Sequence, residues 1–116
     1  MSKFADWDAV VAHALTLEGV ELSASYGKPA VKVSANGRWF LAVGHEPDTS
    51  FVLHVDLDTV ELLMATEPET YWQTPHYQGW PDVLVRFAPA DAERVAAMIA
   101  LARDQAAARK PARSKK

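Results

Sequence analysis

Cysteine is absent from the 116 residues, which excludes disulfide frameworks, thiolate catalysis and cysteine-ligated metal sites. No apolar run approaches the roughly 20 residues of a membrane span, so no membrane partner is expected. Lys3 to Asp8 leads into no uninterrupted apolar region of the secretory-signal type, and the expected compartment is the cytoplasm. There is no serine nucleophile in a recognisable turn, no acid pair at fixed spacing and no glycine-rich phosphate loop. Neither catalytic residues nor a cofactor are therefore expected. His13, His45, His54 and His76 never fall at the i, i+4 spacing of a helical zinc motif, and His45-Glu46-Pro47-Asp48 reads as a solvated turn. No metal site is expected.

Positive charge is also scarce outside one end. Twelve Lys and Arg face fifteen Asp and Glu, a net charge of −3. Arg109, Lys110, Arg113, Lys115 and Lys116 hold five of the twelve, leaving seven basic against fifteen acidic residues, about −8, on the rest of the chain. Nucleic-acid affinity comes mostly from basic groups against phosphates, so an acidic body is a handicap for that role. Residues 109–116 are expected to be a solvated, disordered tail after one domain of residues 1–108, which is long enough to bury a core without staples.

What is present is a change of hydrophobic period. Asp6 is placed to cap a helix with Trp7, Val10, Val11 and Ala14 on one face, ending near Leu17; His13 falls off that stripe and is expected in solvent. Strands are expected at Val20–Tyr26, Ala30–Ala35, Arg38–Val43, Phe51–Val55 and Val83–Phe87, with Gly27-Lys28-Pro29 as a turn and Asn36-Gly37 as a two-residue hairpin turn. Asp58-Thr59-Val60-Glu61 has capping-box spacing ahead of Val60, Leu63 and Met64, and Pro68 closes that helix. Asp91 caps a last helix with Val95, Met98, Ile99 and Ala102 on one face, running to about Arg109. Helices bounding a strand meander predict an α+β two-layer sandwich, a curved antiparallel sheet with helices on one face.

The densest segment is Tyr71-Trp72-Gln73-Thr74-Pro75-His76-Tyr77-Gln78-Gly79-Trp80-Pro81, whose aromatics suit a core or a recognition surface. Strand parity puts Phe51, Leu53 and Val55 inward and His54 outward, and likewise leaves Lys32 and Arg86 outward. With His76, Tyr77 and Trp80 near the rim, that face is a candidate site for an anion or planar ligand, weighed against an ordinary solvated sheet face. Trp39 to Val43 is apolar on both parities, as in a central strand whose second face is covered, either by the aromatic segment or by a second subunit. His76 is expected to be a structural histidine.

Ser25-Tyr26-Gly27-Lys28-Pro29-Ala30-Val31-Lys32-Val33, Val55-Asp56-Leu57 and Thr74-Pro75-His76-Tyr77-Gln78-Gly79-Trp80-Pro81-Asp82-Val83-Leu84-Val85-Arg86 together resemble the MmcQ/YjbR family, from about Leu17 to Arg103. The resemblance implies a frataxin- or secretion-chaperone-like fold and DNA binding through a double wing of hairpins, with Lys28 and Arg38 at the hairpin tips and the basic tail beside them. Some relatives carry an asparagine and a lysine after the histidine of the aromatic segment; Gln78 and Gly79 stand near those positions here, so no role passes to that lysine. The first helix offers only Asp6, Asp8 and Glu18, too sparse for a frataxin-type iron ridge. Two functions follow as expectations: a non-enzymatic binding protein for DNA, or a protein-interaction or anionic-ligand module, homodimers included, built on the second sheet face and the Tyr71–Trp80 aromatics.

Overall fold

The computed structural model describes residues 3–25 and 27–110. Asp6 starts the first helix as expected: its backbone is extended and its carboxylate accepts from Ala9 N at 2.9 Å, giving α1 (Trp7–Ala14). The helix stops short of Leu17 because the next turn tightens, with Thr16 N bonding His13 O and Leu17 N bonding Ala14 O. His13 is not in open solvent. It is half-buried edge-on against Phe4, ring centroids 5.0 Å apart, and burial, then Lys3, lowers its pKa. Phe4 itself is buried in the core.

Four strands follow: β1 (Val20–Ser25), β2 (Lys28–Val33), β3 (Trp39–Ala42) and β4 (Ser50–His54). Then come α2 (Leu57–Thr66), β5 (Tyr71–Trp72), β6 (Asp82–Arg86) and α3 (Ala92–Ala107). The sheet order is β1-β2-β3-β4-β6-β5, with every neighbouring pair antiparallel. The fold is the expected α+β layout, and among the described residues no helix is long and apolar enough to cross a membrane. β5 is an unexpected strand inside the aromatic segment. Lys28 and Pro29 belong to β2 rather than to a turn, and β2 ends at Val33.

One turn and one helix cap differ from expectation for physical reasons. Of Asn36 and Gly37 only Gly37 has positive φ, so a two-residue turn with both central residues left-handed does not form. Val33 N bonds Arg38 O and Gly37 N bonds Val33 O, each at 2.8 Å, leaving four residues in the loop. The Asn36 side chain is engaged elsewhere: its Nδ2 donates to Ala106 O at 2.8 Å and Arg109 O at 3.1 Å, capping the C-terminal end of α3 from seventy residues away. The second correction is the cap of α2. It is Asp56, not Asp58: the Asp56 carboxylate accepts from Thr59 N at 3.0 Å and from Gln105 Nε2 of α3. Asp91 caps α3 as expected, accepting from Arg94 N at 3.0 Å.

The core lies between the helices and one sheet face. Val31, Leu41, Phe51, Leu53, Val83 and Val85 meet Val10, Val60, Leu63, Val95 and Ile99, all buried. Each such side chain contributes about 1.5–3 kcal/mol relative to exposure. Trp39–Val43 is apolar on both parities because of a bulge. Val31 pairs with Leu41 while Lys32 pairs with Trp39, so Phe40 is the extra residue. Phe40 and Leu41 therefore both enter the core, and Trp39 and Ala42 face the other way.

Asn36→Ala is expected to lower unfolding free energy by about 1 kcal/mol, with faster amide exchange confined to the end of α3; unchanged exchange at Ala106–Arg109 would count against the cap. Hydrogen bonds from Gln105, then Thr59, hold the Asp56 carboxyl below its usual pKa. Its stabilisation is thus present above the ordinary aspartate pKa of about 3.9 and lost as pH falls through the lower folded value. Urea melts should find Asp56→Ala weaker by about 1 kcal/mol at pH 7, with the gap narrowing below about pH 4.

Candidate functional site

The sheet face turned from the helices carries the cross-strand row Ala30, Ala42, Val52 and Leu84. These side chains are buried, Leu84 to 1% exposure and Val52 to 2%, although no helix covers them. Residues 73–81 form the cover, and Gln73 shapes it. Its Nε2 lies 3.0 Å from Tyr77 O, 3.0 Å from Trp80 O and 2.8 Å from Asp82 O. An amide nitrogen has two hydrogens, so three carbonyls share them, and the loop is gathered around one side chain. Two turns complete it, Tyr77 N to Thr74 O and Trp80 N to Tyr77 O, both 2.9 Å.

The cover does not close on the sheet. Between them remains a half-open recess of about 520 Å³, lined by Lys28, Trp39, Ala42, Val43, Gly44, His45, Val52, His76, Tyr77, Trp80 and Asp82. That volume is within the usual range of small-molecule sites, about 300–1,000 Å³. Gly44 sits in its floor. A methyl built there would come within 2.7 Å of Val52 Cγ2 and 3.2 Å of the Tyr77 hydroxyl, so the close approach requires glycine. Burial, then Asp82, raises the Tyr77 pKa. His45 and His76 meet edge to face with centroids 4.7 Å apart, and His76 meets Tyr77 the same way at 4.8 Å.

One end of the recess is closed by a charge network. The His54 ring packs at a tilt against Trp39, centroids 5.0 Å apart, and its Nδ1 is 2.6 Å from Asp82 Oδ1. Arg109 Nη1 is 2.8 Å from His54 Nε2. A guanidinium only donates, so Nε2 accepts and the Nδ1–H donates to Asp82. Asp82, His54 and Arg109 thus form one chain, neutral overall with the imidazole neutral.

The structure scatters the residues singled out from the sequence. Lys28, His76, Tyr77 and Trp80 line the recess, and His54 lies behind its Asp82 end. Lys32 shares the second face, paired with Glu21 and Trp39, but does not line the recess. Arg86 stands four residues along β6 from Asp82; it donates to Glu69 O and stacks over Trp72 at 5.1 Å. Lys32, His54 and Arg86 therefore form no cluster. Arg38 Nε donates to Lys110 O at 2.7 Å, so the chain from Arg109 to Lys110 is held against the β2–β3 loop and His54, where a free tail was expected. Arg113, Lys115 and Lys116 lie outside the described residues.

The aromatic segment also divides. Tyr71 is a core residue, 1% exposed, and burial pushes its pKa to about 12, so it is no contact anchor. Trp80 is 63% exposed. Sequence reasoning missed Trp39, Gly44, Asp82 and Gln73. Asp82 faces His54 only through the β4–β6 register, and the orientation of Trp39 follows from the bulge.

A family model described as YjbR matches residues 15–105, nearly the span over which the sequence motifs occur. No curated protein and no solved structure matches the chain.

Gln73→Ala removes the donor shared by three carbonyls and is expected to cost about 1–3 kcal/mol, with amide exchange accelerating across 74–81 before the rest of the fold. Exchange rates in that loop equal to those of the parent chain would refute the role given to Gln73.

Proposed function

The chain belongs to the YjbR family, and from that membership and the roofed recess together we propose that it is a non-enzymatic, cytoplasmic binding module for a small organic ligand. The observation that carries the proposal is the cavity of about 520 Å³ between the apolar row of the sheet and the 73–81 cover. A loop serving only to bury Ala42, Val52 and Leu84 would pack onto them at interior density. Aromatic walls with a few polar groups are the usual make-up of a ligand site.

Placement of charge favours this role over a DNA wing. Arg38, Arg86 and Arg109 are each tied to groups of the same chain, and the body without its basic end carries about −8. Phosphate recognition draws on free cations in number.

Titration of the ¹⁵N-labelled full chain with indole, a neutral planar probe, is the direct test. Saturable shifts confined to residues 42–45 and 73–82 are expected, and Ala42→Phe, which fills the recess, should abolish them. Scattered, unsaturable shifts in the parent chain would overturn the ligand reading. Tight binding of duplex DNA with a steep salt slope, perturbing Gly37 and Arg38 and sparing the recess, would replace it with the nucleic-acid reading.

A further inference from the structure

The recess is chemically lopsided. Its two carriers of fixed charge are Lys28 and Asp82, and sheet register separates them. Ala30, Ala42, Val52 and Leu84 mark one cross-strand row; Lys28 lies two residues to one side of it and Asp82 two residues to the other. Four residues of strand amount to about 13 Å, before the lateral spacing of the intervening strands is added. The backbone positions of the two charges therefore stand at opposite ends of the recess.

The two ends also differ in how far their charges are already satisfied. The Asp82 carboxylate is held by the His54 Nδ1–H at 2.6 Å, and that ring in turn accepts from Arg109. Its negative charge is balanced inside the protein. The Lys28 ammonium, by contrast, is exposed, and among the described residues its hydrogen bond is a long one, 3.4 Å to Gly44 O. An ammonium has three donors, so most of its capacity faces the recess or solvent. The imidazoles of His45 and His76 add two further polar edges to the lining. Between the ends the walls are Trp39, Tyr77 and Trp80, over a floor of Ala42, Gly44 and Val52.

Resting on the ligand-binding reading above, we infer that the recess selects planar aromatic carboxylates of two or three fused rings, the ring system lying among Trp39, Tyr77 and Trp80 and the carboxylate meeting Lys28. Flat faces stack on indole and phenol rings, and a ring system of that size fits within about 520 Å³. An ammonium-to-carboxylate hydrogen bond is charge-assisted and stronger than one to a neutral amide, which makes the acid group the discriminating element. A cationic ligand finds aromatic faces here as well, yet its natural counter-charge, Asp82, is already paired with His54.

Isothermal titration of the full chain with three compounds sharing one ring system tests this: 2-naphthoate, 2-naphthamide and 2-naphthylmethylammonium. The carboxylate is expected to bind about tenfold tighter than the amide, and the ammonium weakest. Lys28→Met should erase the carboxylate's advantage over the amide, and Lys28→Arg should retain it. Equal binding of carboxylate and amide overturns the selectivity while leaving the ligand site standing. Tightest binding by the ammonium reverses the assignment and makes Asp82 the recognition group. If none of the three binds and indole leaves residues 42–45 and 73–82 unshifted, the ligand site falls together with its selectivity.

Discussion

An antiparallel sheet with helices on one face has to do something with the other. Here that face is not polar along its length: Ala30, Ala42, Val52 and Leu84 run across it as a continuous apolar row. Left in water, the larger members of such a row would each forgo one or two kilocalories per mole of burial, roughly by area. The chain responds with residues 73–81, which leave the edge strand β5, fold over the row and re-enter the sheet as β6. Much else follows from that single requirement. Gly44 is bare because Val52 and Tyr77 crowd its position, and Trp39 is turned outward onto the same face, beside the row. The bulge at Phe40 reconciles both demands on β3. It supplies the core with two consecutive large residues and still delivers Trp39 and Ala42 to the opposite face.

Three polar side chains fix the elements that packing alone leaves loose. Gln73 gathers the cover loop, Asn36 caps the far end of α3, and Asp56 joins the start of α2 to Gln105 near the end of α3. Each links backbone or side-chain groups that helix and sheet ladders leave unpaired. Individually such bonds contribute about 1 kcal/mol, a minor share beside the core. Their effect is directional: apolar contacts set that α3 lies on the sheet, whereas Asn36 sets where it stops and thereby brings Arg109 to His54. The Asp82 end of the recess is in this way coupled to the β2–β3 loop through the end of a helix on the other side of the sheet.

How much of this was legible in the sequence depended on the range of the interaction that decides it. Asp6 and Asp91 act on amides three residues away, and both caps were read correctly. The inward set Phe51, Leu53 and Val55 follows from a period of two within one strand, and it holds. Asp56 precedes α2 while Asp58 falls in its first turn, and the choice between them as cap is biased toward Asp56 by Gln105, forty-nine residues on. Asn36-Gly37 carries the strongest short-range turn signal in the chain, yet the side chain of Asn36 is drawn to Ala106, seventy residues away. Parity placed Lys32, His54 and Arg86 on one face, but only strand register shows that Arg86 stands at the far end of it from His54. Where a residue answers to a distant partner, local pattern names the face or the cap type and cannot name the partner.

The electrostatics of the molecule divide by distance in a similar manner. A polyanion such as DNA meets many charges at once and responds to the field of the whole surface, here an acidic one apart from the basic end. A ligand inside a recess meets the few groups within a Debye length, and the walls exclude much of the water that screens them. In the proposed reading, the ammonium at Lys28, free of a carboxylate partner among the described residues, is the charge such a ligand meets first, ahead of acidic residues farther away on the surface. Arg109, beside the other end, is already bound to His54 and serves to balance Asp82. An acidic protein can in this way present a site that attracts a small anion while repelling a large one, and net charge taken over the whole chain is the wrong scale on which to judge it.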